Sequence, residues 1–155
     1  MTTTTGNTVT YWEDLTVGQQ FSAGPVTMTA EDIIAFARQY DPQDFHTDVE
    51  KAKDTPFGEL VASGWHTAAV TMRMILQSMP DMPGGMIGRR VERMNWPRPV
   101  RPGDSLTLHG EITGLKSRDG MNDRAIMMVK NTTRNQKGEI VLDMETLVFV
   151  PRRPA

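Results

Sequence analysis

The segment Trp65–Met79 has the sequence WHTAAVTMRMILQSM and carries a single formal charge, on Arg73, in fifteen residues. A helix that is apolar around most of its circumference is normally buried on most of its sides. Ser63-Gly64 precedes the segment and Pro80 follows it, so both ends of the predicted helix are marked. We therefore expect a central helix over Trp65–Met79, enclosed by the rest of the chain.

The C-terminal half has a different periodicity. Apolar and polar residues alternate in Leu106–Ile112 and again in Ile140–Val148, which is typical of half-buried strands. Short polar turns such as Asp119-Gly120 separate the strands, and this arrangement favours an antiparallel sheet. One mostly apolar helix and one antiparallel sheet predict an α+β hot-dog fold, in which a curved sheet wraps around the helix.

Length and composition exclude several classes of protein. A chain of 155 residues predicts one domain, and the absence of cysteine excludes disulfides, thiolate zinc sites and a thiol nucleophile. A net charge of -2 indicates no broad basic surface for nucleic acid. No apolar run approaches the roughly 20 residues that span a bilayer, so we expect no membrane partner. The absence of cysteine fits a reducing cytosol, so we expect a cytoplasmic location. The threonine-rich residues 1–10 are expected to form a disordered tail before a domain over residues 11–151.

A second segment, Tyr40–Asp48, places three carboxylates and one imidazole within nine residues. The helical spacing of apolar residues in Ile33–Tyr40 predicts a helix that runs into this segment, and Pro42 should end it near Asp41. Asp41 and His46 then lie on a loop where their side chains can hold a water molecule and transfer protons near neutral pH. The alternative is a solvated turn, because Asp and Pro are common turn residues.

The start of the central helix is the other candidate site. The first amides of a helix have no partner within it and carry partial positive charge. Gly64 lets the backbone approach a ligand, so its N–H is a candidate donor to an oxyanion, although helix entry alone also explains this glycine. We place Ser63 in the same oxyanion and substrate-binding site, while its simpler role is an N-cap. Three scattered histidines predict no metal site.

These segments resemble the MaoC-like dehydratase family, which includes R-specific enoyl-CoA hydratases, from Tyr11 to about Pro151. In the family motif Gly-Asp-x-Asn-Pro-Leu-His the catalytic Asp and His are five residues apart, as are Asp41 and His46. Residues 62–64, Ala-Ser-Gly, stand where the family often has Ala-His-Gly before its central helix. Residues 99–104, PVRPGD, are similar to the family turn Pro-Val-x-x-Gly-Asp.

The chain departs from the family pattern around these motifs. Tyr40 replaces the glycine before the catalytic Asp, and Gln43-Asp44 replaces Asn-Pro. Ser63 replaces the frequent histidine before Gly64. These changes retain the acid and the imidazole but alter the residues that hold them.

The resemblance implies a hydro-lyase that adds water to an enoyl thioester or removes it from a 3-hydroxyacyl thioester. Asp41 and His46 would share the proton transfers, and Gly64 with Ser63 would bind the thioester oxygen. The substrate would be a thioester of coenzyme A or acyl carrier protein, with no separate cofactor. The sequence specifies neither the acyl chain nor the direction of reaction.

Two other functions remain open from the sequence. Hot-dog thioesterases commonly place an acid on or near the central helix, and Trp65–Met79 contains neither Asp nor Glu. A non-catalytic hot-dog subunit that binds acyl thioesters or a protein partner would not need Asp41 or His46. In each case we expect a homodimer, because a sheet curled around one helix leaves edge strands with unpaired amides.

Overall fold

The computed structural model describes residues 8–155, so residues 1–7 of the predicted tail lie outside the described part. Thr10 donates its backbone N–H to the carbonyl of Asp81 at 2.8 Å, so this residue of the predicted tail contacts the folded domain. A short 3₁₀ helix at Trp12–Asp14 comes first. The helices are α1 (Ala30–Tyr40), α2 (Asp44–Thr47), α3 (Val49–Ala52) and α4 (Gly64–Ser78), and the strands are β1 (Gln20–Thr27), β2 (Ile87–Asn95), β3 (Ser105–Lys116), β4 (Arg124–Arg134) and β5 (Ile140–Pro151).

The five strands form one antiparallel sheet in the order β1-β3-β4-β5-β2. Helix α4 packs on this sheet, and its Met74 shares a core with Leu106 and Leu108 of β3 and Val141 of β5. All four side chains are fully buried. The structure therefore confirms the predicted hot-dog fold, and α4 lies within one residue of the predicted helix at each end.

The expectation that α4 is enclosed on most sides is wrong for the single chain. Met74 and Ile75 are buried, whereas Trp65, Met72 and Leu76 are 60%, 43% and 57% exposed. The physical reason is that the sheet covers one side of the helix, and the described residues leave the other side in contact with solvent. An apolar helix face without a cover indicates a surface that binds another molecule.

One buried polar contact ties α4 to the sheet. The hydroxyls of Thr71 on α4 and Thr133 on β4 lie 2.7 Å apart, and both side chains are fully buried. A buried hydroxyl without a hydrogen-bond partner lowers the free energy of unfolding, because it has lost its hydration and gained no bond in exchange. The pair therefore fixes the position of α4 over β4.

We expect Thr71→Val to lower the free energy of unfolding by about 1–3 kcal/mol, because it leaves the Thr133 hydroxyl unpaired. The double variant Thr71→Val/Thr133→Val should lose less than the sum of the two single variants, since no hydroxyl is then left alone. Urea denaturation of the four proteins measures this coupling. Strictly additive losses would contradict the account.

Candidate active site

Helix α1 carries Asp41 to the site. The hydroxyl of Thr29 caps the helix by accepting the Asp32 N–H at 3.1 Å. Asp41 is the C-cap; its backbone leaves the helical conformation, and its N–H donates to the Ala37 carbonyl at 2.8 Å. The helix thus ends where Pro42 predicts, with the Asp41 side chain just beyond its last turn.

His46 lies on the single turn α2, where the sequence predicts a loop. The difference has a local cause, because the Thr47 hydroxyl and the His46 N–H both donate to the carbonyl of Gln43 and close the turn. The ring is buried, and its Nδ1 lies 2.7 Å from the Val61 carbonyl. A carbonyl only accepts, so Nδ1 carries a proton, and in the neutral form of His46 the lone pair is at Nε2.

The carboxylate of Asp41 is held at both oxygens. Gln43 donates its side-chain amide to Oδ1 at 2.7 Å, and the Ser63 hydroxyl donates to Oδ2 at 2.7 Å. His46 Nε2 lies 3.2 Å from Oδ2, so the imidazole faces the carboxylate directly. Each carboxylate oxygen has two lone pairs, so each can still accept a hydrogen bond from a ligand or water.

The surroundings of Asp41 favour its ionised form. Burial acts to raise the pKa of Asp41, but the hydrogen bonds from Ser63 and Gln43, together with the charge of a protonated His46, outweigh it. The net result is a pKa below the ordinary value of an aspartate. Asp41 is therefore a carboxylate at neutral pH, fixed in orientation beside the imidazole.

Ser63 joins Asp41 to the start of α4. Its hydroxyl accepts the Trp65 N–H at 3.3 Å as the helix N-cap and donates to Asp41. The side chain is fully buried and does not line the cavity described below. The geometry thus gives Ser63 a role in positioning Asp41, and it does not support the predicted direct contact of Ser63 with substrate.

Gly64 is the first residue of α4, and Trp96 lies against it. The indole N–H of Trp96 donates to the Gly64 carbonyl at 2.8 Å. A Cβ on Gly64 would lie 2.8 Å from the indole ring, so a larger residue would displace Trp96. Within residues 8–155 the Gly64 N–H has no hydrogen-bond partner, which leaves this amide available to a ligand.

A cavity of about 480 Å³ brings these groups together. Asp41, His46, Gly64 and Trp96 all line it, with apolar walls that include Phe45. The volume is in the range of small-molecule sites. Three of the four predicted site residues therefore meet at one cavity, with the fourth, Ser63, directly behind Asp41.

Sequence reasoning identified Gln43 only as a departure from a family motif, and it did not identify Trp96. Gln43 lies two residues after Asp41, and its amide can reach back to the carboxylate, so proximity in the sequence is a usable signal. Trp96 is 32 residues from Gly64 in the sequence, and the fold brings the two residues together. No local sequence pattern predicts this contact.

The remaining acids and histidines considered in the sequence lie elsewhere. Asp48 caps α3 by accepting the N–H groups of Glu50 and Lys51. His66 is buried and stacks on Phe36 with ring centroids 4.7 Å apart. In residues 8–155 no group of three or more His, Asp or Glu side chains is placed to hold a metal ion. In the same range no helix is long and apolar enough to cross a bilayer.

Comparison with known proteins places the chain in a family. Residues 14–135 match the model of the MaoC like domain. A 3-hydroxybutyryl-CoA dehydratase of Methylorubrum extorquens is 30% identical over 146 residues, 94% of this chain and 87% of that protein. The structure of a MaoC-like dehydratase from Rhodospirillum rubrum is similar at a TM-score of 0.87 and 41% identity, covering 94% of this chain and 99% of that one. An unliganded R-hydratase of Pseudomonas aeruginosa has a TM-score of 0.73 and 26% identity, covering 92% and 86%. This chain belongs to the MaoC-like dehydratase family.

Proposed function

We propose that the protein is an R-specific enoyl-CoA hydratase, which adds water to a 2-enoyl thioester or removes it from the 3-hydroxyacyl thioester. The observation that carries the proposal is the meeting of three groups at one cavity: the Asp41 carboxylate, the buried His46 imidazole and the unpartnered N–H of Gly64. Hydration needs a base for water, a proton for the α carbon and a donor to the thioester oxygen. These groups supply all three.

The hydrogen bonds made by Asp41 and His46 suggest which group transfers the proton. With Nδ1 donating to Val61, Nε2 of neutral His46 can accept a proton from a water molecule that also donates to Asp41. The resulting hydroxide attacks the β carbon. The protonated Nε2 then delivers the same proton to the α carbon, so one water is added and the enzyme is restored. The ionised Asp41 stabilises the imidazolium between the two steps.

Gly64 would stabilise the charge on the thioester oxygen. Attack at the β carbon moves electrons onto this oxygen, and a fixed N–H at a helix N-terminus favours that charge. The amide is held in place because Trp96 binds the carbonyl of the same residue. It does not have to reorganise when the charge forms.

The acyl chain has an apolar space beside the site. A second cavity of about 490 Å³ lies between α4 and the inner face of the sheet, and Met72, Met79, Met86 and Met94 are among its walls. One of its lining residues, Ala68, lies one helical turn beyond Gly64. Methionine side chains adapt to flexible apolar ligands, which suits an alkyl chain.

Strand β2 and the exposed face of α4 are the surface that we propose for the homodimer expected from the sequence. Strand β2 is an edge of the sheet, and eight of its nine residues are exposed, among them Ile87 and Val91. The exposed face of α4, with Met72 and Leu76, is also apolar. A second copy pairing at β2 would satisfy the free strand edge and cover apolar surface.

Hydration of crotonyl-CoA should fall by about 10²–10⁴-fold in kcat for Asp41→Asn and for His46→Gln, because each variant loses a proton-transfer or stabilising group. Asp44→Asn is the matched control: Asp44 is an exposed acid in the same segment, and its variant should keep wild-type turnover. Consumption of the double bond measures the rate.

Parallel measurements separate the alternatives. Undiminished turnover in both variants would overturn the assignment. Release of free thiol without hydration would indicate a thioesterase, and binding of crotonyl-CoA without any turnover in the wild type would indicate a non-catalytic subunit.

Titration of the Asp41 carboxyl carbon by NMR tests the role of Ser63. Burial acts to raise the pKa of Asp41, but the hydrogen bonds from Ser63 and Gln43 help to hold it below its ordinary value. Ser63→Ala removes one of these bonds, so the pKa of Asp41 should rise. Gln43→Ala should shift it in the same direction.

Ser63→Ala also removes a helix cap, and Thr29→Ala provides the control. Thr29→Ala removes the cap of α1 without touching the Asp41 carboxylate, so it should reduce stability and leave the pKa of Asp41 unchanged. An unchanged pKa of Asp41 in both Ser63→Ala and Gln43→Ala would show that these bonds do not set the protonation of Asp41.

In solution the protein should sediment at twice its chain mass of 17.3 kDa. Leu76→Glu should shift it to monomer, because a charge on the apolar face of α4 would be buried in the dimer. Val17→Glu is the control, since Val17 is 56% exposed and Leu76 57%, and Val17 belongs to the segment between the 3₁₀ helix and β1. A wild-type monomer, or a dimer unaffected by Leu76→Glu, would contradict the proposed interface.

A further inference from the structure

The cavity that contains Asp41 and His46 is rich in aromatic side chains. Aromatic residues make up only 6% of the chain, yet four of them line this cavity: Phe45, Phe57, Trp65 and Trp96. All but Phe45 are exposed, and Tyr40 is the only other exposed aromatic side chain within residues 8–155. Exposed apolar side chains that are gathered at one place indicate a binding surface.

One aromatic pair lies next to the imidazole. The rings of Phe45 and Phe57 have centroids 5.2 Å apart and are inclined at 61°. Phe45 also meets the ring of His46 edge to face, with centroids 4.5 Å apart. The two phenylalanines come from α2 and from the loop that follows α3, so the fold brings them together on this side of the cavity.

The second aromatic pair lies next to the start of α4. The rings of Trp65 and Trp96 have centroids 5.3 Å apart and are inclined at 74°, again edge to face. Trp96 donates its indole N–H to the carbonyl of Gly64, the residue whose amide is the proposed oxyanion donor. A thioester with its oxygen at Gly64 and its β carbon at Asp41 and His46 therefore has aromatic side chains near both ends of its reacting segment.

The group attached directly to the β carbon lies in this aromatic cavity. The apolar cavity beside α4 shares no lining residue with it, so that space concerns atoms farther along an acyl chain. Aromatic walls bind a ring more tightly than an alkyl group of equal size, because the positive edge of one ring attracts the negative face of another. An alkyl group gains only dispersion and burial of apolar area.

We propose that the substrate carries an aromatic ring on its β carbon, so that the enzyme interconverts 3-aryl-3-hydroxypropanoyl and 3-arylacryloyl thioesters. Phe57 and Trp65 are the specificity-determining residues. This inference rests on the proposed function, because it places the β carbon at Asp41 and His46. In the dehydration the C–H bond at the α carbon and the C–O bond at the β carbon break, and one water leaves. The new double bond is conjugated with the ring.

Calorimetric binding of saturated thioesters tests the inference without turnover. 3-Phenylpropanoyl-CoA and 3-cyclohexylpropanoyl-CoA have rings of similar size, and only the phenyl ring is aromatic. We expect wild type to bind the phenyl compound about 3–10-fold more tightly. Phe57→Leu and Trp65→Leu should each reduce this ratio, because leucine keeps the side chain apolar and removes the ring. Wild type should also dehydrate racemic 3-hydroxy-3-phenylpropanoyl-CoA.

Tyr40→Leu is the matched control. Tyr40 is 65% exposed and Trp65 is 60% exposed, but Tyr40 does not line the cavity, so its variant should keep the wild-type ratio. A ratio near one in wild type would overturn the inference, as would a ratio that survives in both Phe57→Leu and Trp65→Leu or one that Tyr40→Leu removes. Equal weakening of both compounds and of acetyl-CoA would assign the aromatic side chains to the coenzyme A moiety.

Turnover separates this inference from the proposed function. If wild type hydrates crotonyl-CoA but shows no preference for the phenyl compound, the proposed function stands and this inference fails. If the preference is present and both cavity variants lose it, while wild type neither hydrates crotonyl-CoA nor dehydrates 3-hydroxy-3-phenylpropanoyl-CoA, aromatic recognition stands and the proposed function fails.

Discussion

A single hydroxyl joins the two helix ends on which the site depends. Ser63 accepts a hydrogen bond from the first turn of α4 and donates one to the Asp41 carboxylate at the end of α1. It is fully buried, so water does not compete for either bond. The end of α1 and the start of α4 are thereby held together, although Asp41 and Ser63 are 22 residues apart in the sequence. The carboxylate is oriented toward His46. The amide of Gly64 follows directly in the chain, so this contact sets the position of the Asp41 carboxylate relative to that amide.

Beyond its N-terminus, α4 has one buried face and one exposed face. Its buried residues anchor the helix to the sheet through Met74 and through the Thr71 to Thr133 hydroxyl pair. Its exposed side chains Trp65, Met72 and Leu76 are apolar, and β2 is a free edge of the sheet. Met72 and Met79 line the apolar cavity between α4 and the sheet. The same helix thus carries the proposed oxyanion donor at its N-terminus, lines the cavity proposed for the acyl chain and presents the surface proposed for dimerisation.

The sequence predicts the fold because the relevant signals are local. The strand alternation, the proline after Asp41 and the apolar segment at Trp65–Met79 each specify an element, and the structure has all of them. Asp41 and His46 are also found from local spacing. Two contacts that orient the site are not predicted, because the Val61 carbonyl that holds His46 and the Trp96 indole that holds Gly64 come from distant parts of the chain. The exposure of one face of α4 is not predicted for a related reason. An apolar composition favours burial of a helix, but it does not specify whether the same chain or another molecule buries it.

The central claim is that Asp41, His46 and Gly64 act together on one thioester. A crystal structure of the wild-type protein with butyryl-CoA, a saturated and unreactive thioester, tests it most directly. The account predicts the thioester oxygen at about 2.9 Å from the Gly64 nitrogen, and a water molecule that contacts both the Asp41 carboxylate and His46 Nε2. A thioester oxygen bound elsewhere, with Asp41 and His46 in contact only with each other, would contradict it.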